Sequence, residues 1–202
     1  MIVIVDYGMG NLRSILNKFE RMDVEAKISA DPGDIERADK LVLPGVGAFD
    51  ACMHNLRQRN LIPLLEKKVL QDKTPIMGIC LGMQLFSKHS EEGNVDGLGW
   101  IDAKTKKFQF NGNGLKVPHM GWNSILVNEE SPMLDGLQTG SRFYFVHSYH
   151  VCCNDPADQL ATTNYGIDFT SMVQHGNILG VQFHPERSHR FGAKLLENFV
   201  SW

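Results

Sequence analysis

Residues 75–86 read Pro-Ile-Met-Gly-Ile-Cys-Leu-Gly-Met-Gln-Leu-Phe, an apolar run that delivers one cysteine between two glycines and then takes on a helical character. Within it Gly78-Ile79-Cys80-Leu81-Gly82 is G-x-C-x-G, the pattern of a nucleophile elbow with a thiol in place of the hydroxyl. A buried strand must turn sharply into a helix at such a point, and the glycines relieve crowding around the strained central residue. The start of the helix favours a thiolate, and the backbone N–H of Leu81 stands where an oxyanion would form. The same five residues also fit a buried cysteine at a tight strand-to-helix turn, since a free thiol behaves as a small hydrophobe.

A second polar cluster lies far along the chain, in Gly180-Val181-Gln182-Phe183-His184-Pro185-Glu186. The proline biases His184 to an extended conformation, in which residues two apart share a side, so His184 and Glu186 can face one cleft. That supplies a base and a carboxylate to orient it, with Cys80 as nucleophile, in the chain order Cys, His, Glu. A lone histidine is commonly structural; a His-x-Glu at the end of an apolar strand, beside an independent cysteine elbow, favours catalysis.

Strands alternate with amphipathic helices in the first half. Met1–Val5, Val24–Ile28, Lys40–Leu43 and Pro75–Ile79 read as strands, and helices are expected from about Leu12, around Phe49–Leu56 and over Leu61–Leu70. Leu12, Ile15, Leu16 and Phe19 share one helical face, with Asn11 as N-cap. Gly8-Met9-Gly10 begins a dinucleotide fingerprint, but Arg13 occupies the third glycine position and the match fails. Such alternation predicts an α/β fold, a single domain over residues 1–202 with a mostly parallel central sheet flanked by helices, binding ligands at the carboxyl ends of its strands. The second half is strand-rich, over Ile101–Phe110, Lys116–Val117, Ile125–Val127, Phe143–Val151, Leu160–Thr163, Thr170–Gln174 and Ile178–Phe183. Asn111-Gly112-Asn113-Gly114 and His175-Gly176-Asn177 are hairpin turn signals, and a closing helix begins near Arg190.

Composition bounds the function. A chain of 202 residues can bury one α/β core, and a net charge of -3 without blocks of like charge argues against nucleic acid as a partner. Cys52, Cys80, Cys152 and Cys153 have neither C-x-x-C spacing nor a paired histidine pattern, so no metal site and no disulfide framework is indicated. Cys152 and Cys153 read as packing residues in or beside a strand. The chain begins directly with a strand and holds no membrane-length apolar run, from which a soluble, reduced, cytoplasmic protein is expected.

The elbow and the His-Pro-Glu segment resemble those of the triad-type, class I glutamine amidotransferases. Asp6-Tyr7-Gly8-Met9-Gly10-Asn11-Leu12-Arg13-Ser14, Leu43-Pro44-Gly45-Val46-Gly47-Ala48-Phe49, Pro118-His119-Met120-Gly121-Trp122-Asn123 and Tyr144-Phe145-Val146-His147-Ser148-Tyr149 extend the likeness over nearly the whole chain. They narrow it to the glutaminase subunits of imidazole glycerol phosphate synthases. The resemblance implies that Cys80, His184 and Glu186 hydrolyse glutamine through a thioester, with no cofactor, and that Leu81 and Gly47 donate to the oxyanion. The loop Pro44-Gly45-Val46-Gly47 then looks like a switch, because its glycines permit a peptide flip; ignoring the family, a tight turn fits as well. Gln84, Glu92, Ser148 and Tyr149 would bind the glutamine; read alone, Gln84 and Glu92 pass for solvated surface residues and His147 for a core residue.

Ammonia is wasted if released to water, so the resemblance further implies a docked acceptor, a (β/α)8-barrel cyclase of histidine biosynthesis in a heterodimer. Asn11, Arg13, Met120, Trp122, Tyr144 and Arg187 match positions that face it, although Met120 and Trp122 also suit a core. Arg187, His150 and Ser188-His189-Arg190-Phe191 depart from the commonest pattern, which leaves a paralogous synthase that amidinates sugars for surface polysaccharide as an alternative acceptor. A catalytically silent assembly subunit is the alternative of another class, and would be expected to lack part of the triad.

Overall fold

The computed structural model describes residues 1–110 and 114–202. Strand β1 (Ile2–Val5) is buried along its whole length, with Ile2 and Ile4 in one core and Val3 and Val5 in the other. Successive side chains of a strand point to opposite faces, so a continuous apolar run is what a doubly covered sheet requires. Strands β2 (Ala26–Ser29), β3 (Lys40–Gly45) and β4 (Ile76–Cys80) join it, connected by helices α1 (Leu12–Glu20), α2 (Pro32–Arg37), α3 (Phe49–Gln58) and α4 (Ile62–Glu66), the last running into a π-helical turn at Lys67–Gln71. Helix α1 covers one face with Ile15, Leu16 and Phe19, while α2, α3 and α4 cover the other with Ile35, Phe49, Leu56 and Leu65. Asn11 stands at the α1 N-cap but makes no side-chain cap bond, so the expected capping does not occur.

After the short α5 (Leu81–Gln84) come β5 (His89–Ser90), β6 (Val95–Asp96), β7 (Ala103–Lys107), β8 (His119–Ser124), β9 (Leu126–Val127), β10 (Arg142–His147), β11 (Tyr149–Cys153), β12 (Gln159–Asn164), β13 (Asp168–His175), β14 (Ile178–Val181) and α6 (His189–Ser201). The main sheet runs β2-β1-β3-β4-β14-β13-β11-β7-β5-β6, with β12 and β9 branching from β13. Its half from β2 to β14 is parallel, and β13, β11 and β7 continue it antiparallel. Helix α6 places Leu195, Leu196 and Phe199 in the core shared with α1.

Two expectations change. Phe143–Val151 is not one strand: it breaks at Ser148, β10 pairing with β8 in a separate two-stranded ribbon while β11 enters the main sheet. Alternation alone cannot register that break, because both halves are regular. Lys116–Val117 is not a strand, and the strand begins instead at His119, where the Pro118 segment ends. The turn at Asn111-Gly112-Asn113 lies outside the described residues, whereas His175-Gly176-Asn177 does close the β13–β14 hairpin. Among the described residues no helix is long and apolar enough to cross a membrane.

Two features of this frame hold the site. At the elbow, Cys80 itself takes the left-handed backbone, with φ 55° and ψ −111°. Gly82 of the elbow and Gly45 of β3 serve close approach instead: a Cβ on Gly82 would drive into the Leu43 carbonyl oxygen of β3, and one on Gly45 would lie 2.7 Å from the Gly82 nitrogen. On the ribbon, the buried His147 Nδ1–H donates to the Tyr149 carbonyl at 2.7 Å, leaving its Nε2 to accept from His119 Nδ1–H at 3.0 Å. This pair ties β8 and β10 to β11. Burial pushes His119 down to about 4 and His147 down to about 3, the latter aided by the neighbouring imidazoles.

Both contacts can be tested by stability. Gly82→Ala overpacks backbone against backbone and should destabilise the protein by roughly 3 kcal/mol, read from the urea midpoint at constant m-value. The depressed histidines contribute stability that is full above the unfolded value of about 6.5 and is lost as pH falls from there towards their native values, because only the unfolded chain takes up those protons. The urea midpoint should therefore drop between about pH 6.5 and 4, and less steeply in His119→Gln; equal slopes in both proteins would refute the assignment.

Candidate active site

Parallel register brings the site together. Gly45 of β3 lies opposite Cys80, and Val181 of β14 opposite Ile79, so the Val46-Gly47 loop and the Gln182–Glu186 segment leave the sheet on either side of the cysteine. Cys80 is 7 % exposed and its sulfur lies 3.8 Å from the Val146 carbonyl oxygen and 3.8 Å from Gln182 Nε2. The helix that follows is a single turn, shorter than the run predicts. Ser87 Oγ–H donates to the Gln84 carbonyl at 2.8 Å, and the Leu85 and Phe86 carbonyls accept from Leu98 and Ile101 rather than from a further helical turn. One turn of aligned peptides leaves little macrodipole for the thiolate.

His184 is extended, with φ −101° and ψ 96°, as its proline dictates. Glu186, however, sits in a 3-10 turn at Pro185–Arg187, not two steps along a strand. The turn still delivers Glu186 Oε1 to His184 Nδ1 at 2.9 Å, both side chains being almost wholly buried. Ser188 clamps it: its Oγ–H donates to the His184 carbonyl at 2.6 Å and its oxygen accepts from Tyr144 N–H at 3.0 Å. His184 Nε2 is buried without a hydrogen-bond partner. Burial alone would lower the His184 pKa, but the sulfur of Cys80 and the carboxylate of Glu186 outweigh it and raise the value above the ordinary imidazole range. An imidazole biased towards its charged form, with its free nitrogen towards a cysteine, is the arrangement a nucleophilic thiol needs.

Cys80, Leu81 and His184 open onto a cleft of about 350 Å³ that Gly47, Gln84, Glu92, Ser148 and Tyr149 also line. Gln84 is 3 % exposed, not a surface residue; its Nε2 donates to the Tyr149 carbonyl at 3.0 Å and to Gln182 Oε1 at 2.9 Å. Glu92 is half-buried, its Oε2 accepting from Phe49 N–H at 3.0 Å, and burial raises its carboxyl pKa against that bond. The carbonyls of Ser148 and Tyr149 are bonded within the protein, to Phe108 N–H for the first and to Gln84 and His147 for the second. In the Val46-Gly47 loop, Gly47 has φ 96° and the Val46 carbonyl accepts from the Cys52 thiol at 3.7 Å.

Asn11, Pro118 and Arg187 form the mouth of the same cleft. Beside it the ribbon turns Met120 and Trp122 outwards, 62 % and 40 % exposed, so neither is a core residue. Trp122 lies opposite Tyr144 and Met120 opposite Val146; the Trp122 ring stacks on His189 at 5.1 Å, and the Arg187 guanidinium sits 6.0 Å above Tyr144. Arg13 is exposed on α1, outside the cleft. Gln182 and Ser188 join the site although no sequence motif assigns them a role. For Gln182 the only local signal is a polar residue set inside the apolar run Val181-Gln182-Phe183.

The family model of class I glutamine amidotransferases matches residues 3–202. The chain is 54% identical over 200 residues to the imidazole glycerol phosphate synthase subunit HisH 2 of Methanococcus maripaludis, covering 99% of this chain and 98% of that one. It is 50% identical over 200 residues to the subunit of the same name from Pseudomonas aeruginosa, again covering 99% and 98%. In three dimensions it is similar to the crystal structure of a glutamine amidotransferase, with a TM-score of 0.77 at 20% identity over 100% of this chain and 98% of the other. A glutamine amidotransferase from Thermotoga maritima gives a TM-score of 0.64 at 17% identity, over 99% and 82%. With the elbow thiol, the buried imidazole–carboxylate pair and these full-length matches together, the chain belongs to the class I glutamine amidotransferase family and, within it, to the HisH subunits of imidazole glycerol phosphate synthase.

Proposed function

We propose that this chain hydrolyses glutamine to glutamate and ammonia and passes the ammonia to a cyclase subunit of histidine biosynthesis. The observation that carries the reading is His184, bonded to the buried Glu186 and facing Cys80 through a ring nitrogen with no other partner. The Cys80 thiolate attacks the side-chain amide carbon, and the oxyanion collects donors from the Leu81 and Gly47 N–H groups. As the tetrahedral intermediate collapses, His184 gives its proton to the departing nitrogen, releasing ammonia and leaving a γ-glutamyl thioester. The now neutral imidazole takes a proton from water, hydroxide adds to the thioester, and the tetrahedral intermediate expels the Cys80 thiolate; the γ-carboxyl group gives its proton to solvent as glutamate departs, with the imidazolium restored. Glu186 keeps the ring oriented throughout. The Glu92 carboxylate suits the ammonium of free glutamine, while Gln84, Ser148 and Tyr149 complete the pocket.

The whole of residues 1–202 acts as one glutaminase domain. Its acceptor is a (β/α)8-barrel cyclase docked as a heterodimer on the face made by Asn11, Arg13, Met120, Trp122, Tyr144 and Arg187. Aromatic and arginine anchors around a cleft mouth suit such an interface, and docking there would seal the ammonia from water. The HisH relatives favour this acceptor over a sugar-amidinating synthase, and the intact Cys80, His184 and Glu186 disfavour a silent subunit. Four unpaired thiols agree with a reducing cytoplasm.

Cys80→Ala should abolish glutamine-dependent synthesis by the complex while synthesis from ammonium salt continues, because the cyclase chemistry belongs to the partner. Glutamate release at the wild-type rate from this variant would remove Cys80 from the mechanism. Trp122→Ala should weaken association with the cyclase by about 2 kcal/mol with an unchanged urea midpoint, measurable by titration calorimetry; undiminished affinity would move the docking face elsewhere.

A further inference from the structure

Gln182 belongs neither to the Cys-His-Glu set nor to the cleft lining, yet it is fully buried at the end of β14 and its amide is bonded at both ends. Oε1 accepts from Gln84 Nε2 at 2.9 Å, and Gln84 Nε2 is itself anchored on the Tyr149 carbonyl at 3.0 Å. These two bonds fix the orientation of the Gln182 amide. Turning it over would set one NH2 group against another and an oxygen against the sulfur, so Nε2 must be the end that lies 3.8 Å from Cys80 Sγ. A donor is needed there. The one-turn α5 offers little dipole, and the Val146 carbonyl on another side of the sulfur, also at 3.8 Å, opposes negative charge.

We infer that Gln182 is a further catalytic residue, whose Nε2–H donates to the Cys80 sulfur and holds it as a thiolate both before attack and as the thioester breaks down. His184 provides the counter-charge, but it must surrender its proton during the reaction. The Gln182 amide has no proton to lose in this pH range, so its bond to sulfur persists while the imidazole is neutral. The same amide chain passes through Gln84, which lines the cleft, so the position of the sulfur and of the glutamine-facing wall are set by one row of hydrogen bonds.

The test compares wild type with Gln182→Glu, which keeps an acceptor for Gln84 and replaces the donor, and with Gln182→Met, neutral and of similar length. Each is measured in the complex with the cyclase subunit of the same source. Alkylation of Cys80 by iodoacetamide at pH 7 is followed by mass spectrometry of its peptide, alongside kcat and KM for glutamate release and ammonia-dependent synthesis as the control for assembly. Alkylation and kcat should each fall about tenfold or more, the scale of one hydrogen bond to a charged group, with KM little changed. Alkylation within about twofold of wild type in an assembled variant, a loss confined to KM, or failure of both variants to support ammonia-dependent synthesis would overturn the assignment in favour of a structural glutamine. The kinetic arm rests on the glutaminase reading, whereas alkylation needs no glutamine. A wild-type complex that releases no glutamate but shows the alkylation difference would sink that reading and the catalytic role with it, while leaving the Gln182 amide as the group that activates the Cys80 sulfur.

Discussion

The site depends on how closely the elbow lies against β3. Gly82 packs where no Cβ fits beneath the Leu43 carbonyl, and Gly45 sits opposite Cys80 in parallel register. This contact lets a non-glycine residue hold a left-handed backbone, a conformation that persists only when its surroundings over-determine it. It also sets the order of loops around the sulfur. Because β3 and β14 flank β4, the segments leaving their carboxyl ends bring Gly47 to one side of Cys80 and Gln182, His184 and Glu186 to the other.

Electrostatics in the cleft follow from burial more than from helix geometry. The carboxylate of Glu186 is buried with one oxygen on His184 and the other without a partner, which is tolerable because the imidazole next to it is held charged. The imidazole pKa is in turn raised by the Cys80 sulfur and the Glu186 carboxylate, which together more than offset its desolvation. Such a site is fixed by a thiol at the end of β4 and by the turn after β14, which Ser188 clamps through the His184 carbonyl and Tyr144 N–H.

The strand break at Ser148 links the cleft to the outer surface. Had the chain from Phe143 continued as one strand, the ribbon would have merged with the main sheet and its outer face would have been covered. Instead β10 and β8 turn Trp122, Tyr144 and Met120 outwards beside the cleft mouth, while His147 and His119 pin the ribbon to β11 from within.

Local patterns determined much of this protein. The doubly buried strands, the elbow at Cys80, the extended His184 and the helical face of Ile15, Leu16 and Phe19 follow from apolar periodicity, glycine spacing and the restriction before proline, all of which act within a few residues. Tertiary structure alone decided the rest. The helix after Cys80 stops at one turn because carbonyls of Leu85 and Phe86 find partners near Ile101; Asn11 faces the cleft mouth instead of capping α1; and Glu186 meets His184 through a 3-10 turn. Gln84, polar and able to pass for a surface residue, is buried because Tyr149 and Gln182 bond its amide. In each case a hydrogen-bonding group has a local option and a distant one of similar strength, and only packing of the assembled sheet determines which is within reach.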